Sequence, residues 1–146
     1  MLYTDLTKKA MLFAYKAHEG QYDRGGVPYV FHPFHLAEQM DTEIEICAAL
    51  LHDVVEDTDY TLEDIRAEGF PEEIVRVVAL LTHDPEVPYM EYVRRLKPDE
   101  TARKVKLADL EHNSDASRAV GEDPDILNKR MEKYRKAKEF LLLPPE

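Results

Sequence analysis

The sequence predicts an all-α bundle of about eight helices. Three observations carry this reading. Apolar residues recur at the three-to-four spacing of a buried helical face, a helix-start residue stands ahead of each such run, and no stretch alternates apolar and polar residues as a half-buried strand would.

The first helix follows from Leu6, Ala10, Phe13, Ala14 and Ala17 on one face, with Thr4 as N-cap and Gly20 just beyond its end. Between Gly20 and Pro33, the pair Gly25-Gly26, Pro28 and the aromatic VPYVFHP read as a loop. VPYVF is the only plausible extended piece, and Pro33 is expected to open a short helix through Leu36 and Met40. Thr42-Glu43-Ile44-Glu45 has the capping-box pattern. The run ICAALLHDVVED after it is apolar nearly all round until His52, as a central helix packed on several sides should be. Later helix starts are marked by Thr61 with Asp64 and by Pro71, Pro88, Pro98 and Pro124.

Length and composition bound the function. A chain of 146 residues is expected to form one domain, 1–146. With 44% hydrophobic and 34% charged residues it is a folding sequence rather than a disordered one. No apolar run approaches the roughly 18–20 residues of a membrane span. Asp5, Lys8 and Lys9 interrupt anything resembling a signal-peptide core, so a soluble cytoplasmic protein is expected. The lone Cys47, within ICAALL, reads as a small buried hydrophobe. A net charge of −11 argues against nucleic-acid binding, which leaves a basic footprint. An anionic small substrate would therefore need a metal or a local cationic patch, and nothing in the sequence points to an obligate protein partner.

The residues able to carry chemistry gather in three segments. His52-Asp53 places an imidazole and a carboxylate after a largely apolar run, and Glu56 and Asp57 follow. Burying such groups is costly unless a cation or partners neutralise them. Glu56 and Asp57 would return to the side of Asp53 if the helix persists. His32 is fixed between an aromatic loop and a proline. In KVKLADLEHN, Asn113 stands four residues beyond Asp109 on the same helical face. Together His32, His52, Asp53 and Asp109 would make a mixed nitrogen and oxygen ligand set without thiolate, suited to Mn, Fe or Zn. Each also has a plainer reading as a cap or a solvated acid, and spacing alone does not bring the three segments together.

In order along the chain, AYKAHEGQYDRGGVPYVFHP (14–33), CAALLHDVVEDT (47–58) and KVKLADLEHN (104–113) resemble the HD-domain superfamily of metal-dependent phosphohydrolases. The resemblance is to its alarmone hydrolase branch, the (p)ppGpp hydrolase domains and their small stand-alone relatives. It implies an HD-domain helical bundle in which His32, His52, Asp53 and Asp109 bind one divalent ion, commonly Mn²⁺. It further implies that Glu56 and Asp57 are the catalytic acids and that Arg24 and Asn113 contact substrate. The implied reaction is hydrolysis of the 3′-pyrophosphate of (p)ppGpp, giving GTP or GDP and pyrophosphate. The synthetase half of the bifunctional enzymes is not present in this sequence.

The sequence also departs from that pattern. Asp23 stands where arginine is common, Ser114-Asp115-Ala116 replaces a basic residue and threonine, and His83 occupies a position where lysine is frequent. Fewer cations leave room for two other readings: an HD phosphohydrolase acting on another nucleotide or phosphorylated dinucleotide, and a silent nucleotide-sensing module. Retention of His52-Asp53 together with Glu56-Asp57 weighs against the silent module. His18 is expected to order the AHEGQ loop and His83 to sit at a helix end, both in structural roles. Lys104, Lys106 and Tyr134 are left between substrate contact and an ordinary structural role.

Overall fold

The computed structural model describes residues 1–145 and is helical throughout. In chain order the α-helices are α1 (Asp5–Ala17), α2 (Phe31–Glu38), α3 (Glu43–Leu51), α4 (Val54–Asp57), α5 (Leu62–Ala67), α6 (Glu72–Leu81), α7 (Tyr89–Leu96), α8 (Glu100–Asn113) and α9 (Pro124–Leu142). A 3₁₀ turn, Ala116–Ala119, joins the last two. Among the described residues the only strand-like pairing is an isolated bridge between Tyr22 and Pro28. None of the helices is long and apolar enough to cross a membrane.

Helix α3 is the axis of the bundle. Ile46, Cys47, Ala48, Ala49, Leu50 and Leu51 are all buried, and α1, α2, α6 and α8 pack around them. Small side chains at Ala48 and Ala49 let those neighbours approach, and burial of the larger ones supplies the driving force. Burial pushes the Cys47 thiol up to about 12, so it is a core side chain and not a nucleophile.

Local chemistry fixes the helix starts. Thr4, Thr42 and Thr61 each cap a helix in a reciprocal capping box. At α3, Glu45 Oε1 accepts from the backbone N–H groups of Asp41 and Thr42 and also meets Lys104 Nζ of α8 at 2.9 Å. The start of α3 is thereby fastened to α8.

Three boundaries differ from the sequence reading. VPYVF is not extended: Tyr29 and Val30 form a turn and α2 begins at Phe31. Pro33 therefore sits at the third helical position, still within the first turn, where a missing N–H costs nothing. At α8, Asp99 rather than Pro98 caps the helix, its side chain accepting from the Ala102 N–H at 2.8 Å.

The third difference matters most for function. The expected single helix through ICAALLHDVVED breaks at His52-Asp53 into α3 and α4. His52 Nδ1 lies 2.6 Å from the Ala49 carbonyl, the acceptor that a continued helix would offer to the Asp53 N–H. Asp53, at φ −102° and ψ −1°, adopts the sparsely populated bridge conformation. The split also accounts for nine α-helices among the described residues where the sequence suggested about eight.

Candidate metal centre

Four side chains from three parts of the chain converge beneath a surface cleft. His32 leaves the first turn of α2, His52 and Asp53 occupy the break between α3 and α4, and Asp109 lies late in α8. His32 Nε2 is 2.8 Å from Asp109 Oδ1 and 3.7 Å from Asp53 Oδ2. His52 Nε2 is 2.9 Å from Asp53 Oδ2 and 3.3 Å from Asp109 Oδ1. One ligand atom from each of the four lies within 4.8 Å of the others, and all four residues are buried.

Both imidazoles are oriented from behind. His52 Nδ1 is bound to the Ala49 carbonyl, and His32 Nδ1 faces His112 Nδ1 at 2.8 Å with the two rings nearly parallel. Their Nε2 atoms are thus turned toward the carboxylates, as metal-ligating histidines are held by hydrogen bonds at the far nitrogen. Two imidazole nitrogens and two carboxylate oxygens, without sulfur, fit a divalent metal ion.

The electrostatics agree with that fit. Burial opposes charging His52, but Asp53 and Asp109 together raise its pKa well above the ordinary histidine value. Burial likewise disfavours the Asp53 carboxylate, yet His52 and His32 hold it down at about 2. Asp109 is held well below the usual range against its own burial by Lys106 and the two histidines. The site is therefore built around two buried carboxylates that require positive charge, supplied by imidazole protons or by a cation.

Further groups brace the carboxylates. The Tyr29 hydroxyl donates to Asp53 Oδ2 at 2.5 Å. Lys106 Nζ lies 2.9 Å from Asp109 Oδ2, and Asn113 Nδ2 donates to Asp109 Oδ1 at 3.0 Å. Glu56 and Asp57 stand at the solvent side of Asp53, each offering an oxygen within 4.8 Å of the others in that group. The break before α4 does not carry them away, because α4 still turns them to the same side. Glu56 Oε1 accepts from the His83 N–H at 2.6 Å. Partial burial, Asp53 and Glu56 raise the Asp57 carboxyl to about 6, and burial also raises Glu56.

A cleft of about 680 Å³ opens over this cluster. Asp53, Glu56, Asp57 and Asp109 line it together with the cations Arg24, Lys106, Arg118, Arg130 and Lys133 and the rings of Tyr89 and Tyr134. His32 and His52 lie below its surface.

The profile of the HD domain family matches residues 10–114. The chain belongs to the HD-domain family. Among curated relatives, the guanosine-3′,5′-bis(diphosphate) 3′-pyrophosphohydrolase of Aquifex aeolicus is 37% identical over 109 residues, covering 71% of this chain and 15% of that protein. Human guanosine-3′,5′-bis(diphosphate) 3′-pyrophosphohydrolase MESH1 is 36% identical over 115 residues, covering 69% of this chain and 63% of the human one. The chain thus spans less than two thirds of these relatives. A solved structure described as a metazoan ortholog of SpoT that hydrolyzes ppGpp superposes with a TM-score of 0.81 at 23% identity, covering 97% of this chain and 88% of the other. That likeness shows the shared fold.

Within this HD domain the eight residues singled out from the sequence fall into two groups. His32, His52, Asp53 and Asp109 form the cluster, and Glu56, Asp57, Asn113 and Arg24 line the cleft. Arg24 is at the rim, 61% exposed and 3.2 Å from Glu122. Lys104 lies elsewhere, clamped to Asp41 and Glu45, whereas Lys106 and Tyr134 belong to the cleft. Sequence reasoning missed Tyr29, His112 and the α9 cations Arg130 and Lys133. The only available signal for the last two was their spacing of three with Tyr134 beside them, which puts them on one helical face.

His18 is 2% exposed, and burial lowers its pKa. Gln21 Nε2 donates to the Asp57 carbonyl at 2.8 Å, leaving its Oε1 to face His18 Nδ1 at 2.8 Å. The pair ties the loop after α1 to the backbone of a cleft acid.

Proposed function

We propose that this chain is a metal-dependent phosphohydrolase that removes the 3′-pyrophosphate of (p)ppGpp, giving GTP or GDP and pyrophosphate. The observation that carries the reading is a buried cluster of two histidines and two aspartates opening, beside Glu56 and Asp57, onto a cleft walled by cations. The names of the Aquifex and human relatives supply the substrate. We further propose that residues 1–146 act as one domain, in the cytoplasm, with Mn²⁺ as the ion.

In this reading His32, His52, Asp53 and Asp109 hold the ion. When bound, it supplies Lewis acidity at a phosphoryl oxygen and makes water a better nucleophile near neutral pH. Asp57, with a pKa of about 6, accepts the proton of the attacking water at a carboxylate oxygen. Glu56, anchored by the His83 N–H, orients that water. The bond between phosphorus and the ribose 3′-oxygen breaks, and that oxygen leaves with the proton that Asp57 took from the water, which restores the carboxylate. Lys106, Arg24 and Asn113 hold phosphoryl oxygens, answering the repulsion expected from a chain at −11.

The test is incubation of Mn²⁺-loaded protein with ppGpp and a panel of other nucleotides, separating pyrophosphate from orthophosphate. Pyrophosphate from ppGpp is the expected product. Rapid release of orthophosphate from another nucleotide with no turnover of ppGpp would replace the substrate. Tight nucleotide binding without turnover of any member would favour a sensing module.

A further inference from the structure

Of the five cations lining the cleft, four have carboxylate partners. Arg24 and Arg130 meet Glu122, Arg118 lies 3.7 Å from Asp23, and Lys106 is held by Asp109. Among the described residues Lys133 makes no ion pair. Its ammonium is instead seated on aromatic faces, 4.7 Å from the centroid of Tyr89 and 5.4 Å from that of Tyr134. Such a seat fixes the position of a charge without neutralising it.

A second observation comes from the ring below. Tyr89 lines the cleft, and its buried hydroxyl, which interacts with the Lys106 ammonium, makes no well-formed hydrogen bond among the described residues. A buried hydroxyl so placed costs free energy that a ligand oxygen would recover. Lys106 Nζ lies 5.6 Å from the same ring, so Tyr89 separates a lysine that touches the metal cluster from a lysine that does not. Burial and the neighbouring cations Lys106, Arg130 and Arg24 push Lys133 below the usual lysine range, which is the electrostatic mark of a place that an anion would stabilise.

We infer that Lys133 and Tyr89 form an anion subsite, remote from the bond that breaks, which selects nucleotides carrying a second phosphoryl group. The inference rests on the proposed hydrolase reading and deepens it: the scissile 3′-pyrophosphate lies over the metal cluster, and a 5′-phosphoryl oxygen accepts from Lys133 Nζ and from the Tyr89 hydroxyl. Lys133 is thus a specificity-determining residue contributed by α9. It does not take part in the proton transfers.

Binding and turnover test this separately. GDP, which has a 5′-diphosphate and no 3′-group to hydrolyse, is titrated calorimetrically into Mn²⁺-loaded protein. Lys133→Met is expected to weaken GDP binding about tenfold, the loss typical of one charge-assisted contact, with Lys133→Arg retaining most of the affinity and Tyr89→Phe showing a smaller loss. In steady state, Lys133→Met should raise KM for ppGpp with little change in kcat, and should leave turnover of guanosine 3′-diphosphate with a free 5′-hydroxyl unchanged. Equal GDP affinity in wild type and Lys133→Met, or no GDP binding by the wild type, overturns the subsite. Weaker GDP binding by Lys133→Met in a protein that does not turn over ppGpp retains the subsite and removes the hydrolase reading.

Discussion

Asp53 and Glu56 are three residues apart in the sequence and stand in different surroundings. Asp53 is buried between His52 and the Tyr29 hydroxyl, whereas Glu56 faces solvent and touches none of the four cluster ligands by hydrogen bond. Asp53→Ala is therefore expected to abolish Mn²⁺ binding in a calorimetric titration. Glu56→Ala should keep the affinity within about threefold while losing two or more orders of magnitude in kcat, the usual weight of a positioned acid or base. Equal loss of metal in both variants would refute this division. For Asp57 the sign of the pH dependence follows from its raised pKa: the carboxyl holds its proton below about 6 and is a competent base above it. Activity should rise with pH through an ascending limb at or below about 6, lower when the bound ion favours the carboxylate, and Asp57→Asn should remove that limb. At this scale His52-Asp53 was legible because ionisable groups end an apolar run. Tyr29 and His112 were not, because their roles come from partners distant in sequence.

Among the elements, α3 was the most legible: its capping box and apolar run specified both its start and its central place. Leu50 is 1% exposed in its middle, and Leu50→Ala should cost about 2–5 kcal/mol in chemical denaturation, the range for buried leucines. A loss under about 1 kcal/mol would mean that the bundle closes over the gap. The end of α3 was illegible. No breaker residue marks it, and the interruption arises from a side-chain bond to Ala49 whose value depends on the site. Similarly, the sequence leaves Tyr134 of α9 between substrate contact and a structural role, because the cleft that α9 helps to wall is completed by α7, α8 and the loop after α1.

For the molecule as a whole, periodicity was enough to give an all-α bundle, and the three similar segments were enough to name the four residues of the buried His-Asp cluster. The gathering of five cations in the cleft beside the acids could not be read from a net charge of −11, since it depends on which few side chains share one space. Two buried carboxylates at the centre make the fold itself responsive to the ion. At an Mn²⁺ concentration a hundredfold above Kd, binding should stabilise the chain by about 2.7 kcal/mol. That corresponds to a rise in Tm of roughly 5–10 °C over chelator-treated protein. Asp53→Ala should show no such rise in differential scanning calorimetry.

Helix α8 holds Lys104 against the beginning of α3 and Asp109 in the metal cluster. The interval between them is consequently a ruler. One alanine inserted between Val105 and Lys106 would advance Asp109 by about 1.5 Å and rotate it by about 100° relative to Lys104. The clamp and the ligand could not then both engage, although the helix itself would tolerate the extra residue. A register error in α8 would leave a folded bundle that cannot assemble its own centre.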